Sequence, residues 1–152
     1  MTVPVLARGQ ESRCLTMDMR MESQIYRNHS NKNFILLHCV SNYPCSDQSL
    51  NMSVLPKLAS KFNCLVGYSD HSIGHDAATV SASLGGAIIE KHFTIDKNLP
   101  GPDQKTSNLP QEFSMLVKAV QKTQLILGFS EKKCQPEEAQ MSSISRKSLT
   151  LT

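Results

Sequence analysis

Two apolar runs, Cys64–Tyr68 and Gly86–Ile89, flank an alanine-rich stretch, Ala77–Leu84, and this order leaves few folds open. The runs have strand length and the stretch between them has helix length and helix propensity. The pattern is a β-α-β unit, whose strands lie parallel and side by side, about 4.8 Å apart. Residues that leave both strands at their carboxyl ends therefore converge. The first run leads into Ser69-Asp70-His71 and the second into Glu90-Lys91-His92-Phe93-Thr94, with the two histidines twenty-one residues apart. Active sites of parallel α/β proteins lie at that end of the strands. Two imidazoles delivered there can share one divalent metal, and imidazole alone does not select which.

The alternation extends in both directions. Phe34–Val40 is apolar almost throughout, as a buried parallel strand should be. Ser41–Asp47 is a loop, marked by Asn42 and Pro44. Leu50–Phe62 reads as an amphipathic helix with Leu50, Val54, Leu55, Leu58 and Phe62 on its apolar stripe; Pro56 implies a kink or a start nearer Ser53. After a long loop from Thr94 to Asn108, a helix begins at Leu109–Glu112. Its stripe is Phe113, Leu116, Val117, Val120, Gln124 and Leu127, and it ends at Gly128. The expectation is an α/β fold with parallel strands near 34–40, 64–69 and 86–90 and helices outside them. Residues 1–31 form a poorly defined N-terminal arm, rich in methionine at Met17, Met19 and Met21. Residues 130–152 are a polar tail, with a short helix expected at Pro136–Ala139.

Four ordered motifs carry a resemblance. Leu36–Pro44, Ser69–Gly74, Glu90–Thr94 and Pro100-Gly101-Pro102-Asp103 resemble the signature of the N-acetylneuraminate (sialic acid) synthase family, in order and in spacing. The resemblance is good from about Lys32 to about Leu127, within a barrel domain expected over 32–129, and continues faintly to Ser145–Leu149. It implies a partial (β/α)8 TIM barrel, of which this chain holds the C-terminal half. At 152 residues the chain is shorter than the roughly 200 a complete barrel needs. Barrel strands one to four and the family's C-terminal antifreeze-like domain are expected to be absent. Asp18–Glu22 is either a remnant of the preceding barrel unit or part of a disordered arm. The family condenses phosphoenolpyruvate with N-acetylmannosamine or a related amino sugar, releasing phosphate and a nine-carbon 2-keto acid, with a divalent metal, commonly manganese.

Carried onto this sequence, the resemblance makes His71 and His92 the metal ligands. Asp103 stands near metal and sugar, Glu90 can orient a ligand or exchange a proton, and Ser69 helps hold phosphate. Ser41 and Tyr43 match substrate contacts. Gln104 departs from the pattern where many members carry histidine, and Asn108-Leu109-Pro110 follows the usual motif loosely. Lys91 alternates to the other side and is expected to be solvent-facing or salt-bridged. His38 reads as a core residue, His75 as a helix-start residue, and Cys39 and Cys64 as small core hydrophobes.

Composition narrows the partners. A net charge of +3 without a basic block does not indicate nucleic acid. No apolar run approaches the roughly 18 residues of a membrane span. Five cysteines, Cys14, Cys39, Cys45, Cys64 and Cys134, lack zinc spacing and fit reduced thiols in the cytoplasm. Half a barrel leaves open sheet edges, so a homo-oligomer, or a separately encoded N-terminal half as partner, is expected. The isolated chain is expected to be inactive. Two other readings remain: a remnant or partner-binding half-barrel, and an unrelated metal-dependent hydrolase.

Overall fold

A computed structural model of the protein describes residues 2–6, 13–16, 34–138, 141 and 144. One sheet holds five strands: β1 (Thr2–Leu6), β2 (Arg13–Thr16), β3 (Phe34–Cys39), β4 (Leu65–Asp70) and β5 (Ile88–His92). Their spatial order is β1-β5-β4-β3-β2. β2 to β5 pair in parallel, and β1 pairs with β5 in the antiparallel sense. The three expected parallel strands are thus β3, β4 and β5, each shifted by no more than two residues.

The first 31 residues differ from a poorly defined arm, because β1 and β2 lie among them at the two sheet edges. Both are short, and Pro4 sits within β1. Edge strands tolerate proline, and strand formation depends strongly on what the strand pairs with. Local patterning therefore could not reveal them. Met17, Met19, Met21 and the Asp18–Glu22 segment lie outside the described residues, as does Ser145–Leu149.

Among the described residues the helices α1 (Val54–Phe62), α2 (Asp76–Ser83) and α3 (Pro110–Leu127) cover one face. Asp47–Ser49 is a separate 3-10 turn, and α1 starts after Ser53. Pro56 is consequently the third residue of α1, in the first turn, where its missing N–H breaks no helical bond. Pro136–Glu138 is a 3-10 turn. Among the described residues no helix is long and apolar enough to cross a membrane.

Strand parity divides the sheet. Leu36, Val66 and Tyr68 point outward and pack with Leu55, Leu58 and Phe62 of α1. Ile89 joins Ala78 and Ala82 of α2 and Leu116 and Val120 of α3. The α3 stripe is buried only in part, because Leu127 is exposed at the helix end. Ile35, Leu37 and Ile88 form the core of the opposite, inner face. Gly67 belongs to that face. A Cβ there would lie 2.5 Å from both the Ile88 carbonyl oxygen and Leu37 Cδ2, so the close strand approach requires glycine.

Candidate active site

The register aligns Cys39 with Ser69 and Ser69 with Glu90. These residues form a row across the inner face at the carboxyl ends of β3, β4 and β5. Ser69 Oγ donates to Glu90 Oε1 at 2.8 Å. His92 ends β5 on the same face, and His71 follows β4 directly. Their ring centroids are 5.3 Å apart.

The Nδ1 atom of His71 lies 2.9 Å from the Val40 carbonyl oxygen. A carbonyl only accepts, so this contact puts the ring proton on Nδ1 and leaves Nε2 with its lone pair. Burial pushes the pKa of His92 down; Asp103 opposes that shift, and the neighbouring His71 adds to it. Burial thus favours the neutral, electron-pair-donating form of the His92 ring. The Asp103 carboxylate lies 3.9 Å from His92 Nδ1.

Tyr43 closes the third side. Its ring sits edge-on to His71 at 5.1 Å and 4.6 Å from that of His92. Its phenol donates to the Thr106 carbonyl at 3.0 Å, and burial raises the phenol's pKa. Ser41 lies exposed two residues earlier in the same loop. The loop carrying Asp103 is closed at its base: Asn108 N donates to the His92 carbonyl and Thr94 N to the Asn108 carbonyl. Ser107 N and Oγ both donate to the Asp103 carbonyl, which fixes the turn before α3.

The structure thus brings together His71, His92, Tyr43 and Asp103, with Ser69 and Glu90 adjoining them. The residues present fit a cation at the histidine pair: two imidazoles meet at a strand-end opening, and Nδ1 of His71 is engaged by the Val40 carbonyl. Among the described residues no group of three or more His, Cys, Asp or Glu side chains is arranged to hold a metal, so the chain offers two imidazoles.

Two placements, those of Cys39 and His38, differ from the sequence reading, and Lys91 takes the second of its two expected places. Cys39 is not simply core: its Sγ lies 3.7 Å from His71 Nδ1, and burial raises its pKa, which keeps it a thiol at neutral pH. Strand parity counted from Leu37 could have found it. Lys91 is salt-bridged but not solvent-facing; its amine meets Asp70 Oδ2 at 2.8 Å with both side chains fully buried. His38 is half-buried, with Nε2 2.6 Å from the Leu50 carbonyl oxygen. His75 stands at the start of α2, as read from sequence.

The fold and site define a segment of a parallel α/β barrel. The NeuB family model matches residues 13–132, beginning at the first residue of β2, and the chain belongs to that family. It is 42% identical over 126 residues to the N,N'-diacetyllegionaminic acid synthase of Legionella pneumophila, covering 83% of this chain and 35% of that protein. It is 37% identical to the pseudaminic acid synthase of Campylobacter jejuni over 69% of this chain and 31% of the relative. The crystal structure of the N-acetylneuraminic acid synthetase of Leptospira borgpetersenii, in complex with citrate, superposes with a TM-score of 0.72 at 33% identity. That match covers 88% of this chain and 50% of the other. The chain spans about a third of the length of these curated relatives.

Proposed function

We propose that this chain supplies the metal- and sugar-binding part of a sialic-acid-type synthase, which joins phosphoenolpyruvate to N-acetylmannosamine or a related amino sugar. The observation that carries this reading is the meeting of His71, His92 and Tyr43 at the ends of adjacent parallel strands in a NeuB-family chain. His71 and His92 hold a divalent cation, manganese by family resemblance. Such a cation, when bound, polarises the sugar's aldehyde oxygen as a Lewis acid. Tyr43, Ser41 and Asp103 orient the open-chain sugar. Glu90, with Ser69 donating to it, is placed to exchange a proton at the inner face, and the Ser69 hydroxyl is a candidate phosphate contact.

Apart from Ser69, the groups that bind the phosphate and carboxylate of phosphoenolpyruvate come from barrel elements beyond these residues, on the same or a second polypeptide. The exposed apolar residues Leu125, Ile126 and Phe129 favour a homo-oligomer. The free thiols of Cys39 and Cys45 fit the cytoplasm.

The test is phosphate release from phosphoenolpyruvate with N-acetylmannosamine and manganese, for the chain alone and with an N-terminal half-barrel added. Activity is expected only in the mixture and is expected to vanish with His71→Ala or His92→Ala. Full turnover by the chain alone, or activity that survives both substitutions, refutes the assignment.

A further inference from the structure

On the outer face, directly behind the histidines, lies a polar cluster for which the synthase chemistry has no evident use. Lys91 Nζ donates to Asp70 Oδ2 at 2.8 Å and to the Ser72 carbonyl at 2.7 Å. Asp70 Oδ1 accepts from Ser72 N at 2.8 Å and from Ser72 Oγ at 2.7 Å. Asp70 and Lys91 are fully buried, and Ser72 nearly so.

We infer that the Asp70–Lys91 pair is a positioning device, locking β4 to β5 at their carboxyl ends and thereby setting the spacing of His71 and His92. The inference rests on the metal reading above only for its chemical purpose. Three observations carry it. The two residues face each other in register, as the last aligned pair of the β4–β5 ladder, and each immediately precedes one of the histidines. The hydrogen bonds hold the chain on both sides of His71, at residues 70 and 72, while the His71 carbonyl accepts from Cys45 N at 2.8 Å. His71 is therefore anchored through its backbone, and its ring is positioned relative to a β5 that the same ion pair clamps.

Energetics points the same way. Burying two charges costs about as much as their attraction returns, and apolar pairs of similar volume often serve stability equally well. What an apolar pair lacks is direction: it does not penalise a shift along the strand. A slip of one residue would turn His92 to the helix face.

The test compares the 152-residue chain with Asp70→Leu/Lys91→Met and with Asp70→Asn. Three quantities are read: the melting temperature, the nuclear Overhauser effect between the two imidazoles in metal-free protein, and Mn²⁺ affinity by electron paramagnetic resonance. The double variant is expected to melt at or above the wild-type temperature. It should lose the ring-to-ring effect and bind Mn²⁺ about 10- to 100-fold more weakly, as changes behind metal ligands do. Asp70→Asn leaves Lys91 without its counter-charge and should melt below the wild type, while lying between the two in the ring-to-ring effect and in Mn²⁺ affinity. Should the double variant not fold, Asp70→Asn decides by the same readings. A ring-to-ring effect unchanged in the folded variants overturns the inference, and so does a failure of both variants to fold, which would make the pair a stability element. A wild type that shows the effect but binds no Mn²⁺ overturns the metal reading alone, and the ring measurement still decides this one.

Discussion

Ser69–Glu90 and Asp70–Lys91 are consecutive rungs of the same β4–β5 ladder, and they behave as opposites. The outer rung is an ion pair sealed from water, its charges answered by direct bonds. The inner rung is a hydroxyl donating to a carboxylate that reaches the strand-end opening, next to half-buried histidines. One residue along the strand separates a buried ion pair from a hydroxyl–carboxylate contact at the inner face. The comparison teaches that the inner face can carry adaptable chemistry because the rung behind it is fixed.

Breaking the outer rung on one side should give the largest effect. Lys91→Met strands the Asp70 carboxylate without its counter-charge, and a loss of about 3–5 kcal/mol is expected in denaturant unfolding. Gly67→Ala comes next. Its new Cβ meets the backbone of Ile88, which cannot swing aside, and overpacking of this kind costs about 1–3 kcal/mol. Ser69→Ala removes one hydrogen bond beside the opening and should cost only about 1 kcal/mol by the same measurement. If Ser69→Ala destabilises as much as Lys91→Met, the contrast between the rungs disappears.

The smallest effect is a pH dependence. The folded pKa of His92 lies below its ordinary value, chiefly through burial. The fold therefore favours the neutral ring. The stability this gives is fully present above about pH 6.5, the ordinary histidine value, and is lost as the pH falls through the lower folded value. Melting temperatures between pH 7.5 and 5 should fall, and His92→Gln should flatten that slope.

The elements around this contrast were unequally legible in the sequence. β3, β4 and β5 stand out because each contains a continuous apolar run, as strands buried on both faces do. The histidine pair stands out because each ring follows such a run. Continuous apolarity also hides parity, and for that reason Cys39 reads as core although the register sets it beside Ser69 and near His71. Lys91 was harder still. A lysine in a strand reads as solvent-facing or salt-bridged, and Asp70 emerges as its buried partner only through pairing across the ladder. β1 and β2 were illegible for the same reason, since their evidence lies in the neighbouring strand.

The clasp at Asn108 has a consequence for how such a site can diversify. Asn108 returns the chain to the end of β5, so the segment between Thr94 and Asn108 begins and ends at one place. Loops of that kind can lengthen, shorten or change sequence at small entropic cost to what lies outside them. The segment bearing Asp103 is therefore an exchangeable cassette. Swapping it should alter what fits against His92 and Tyr43, while β5 and His92 keep their places.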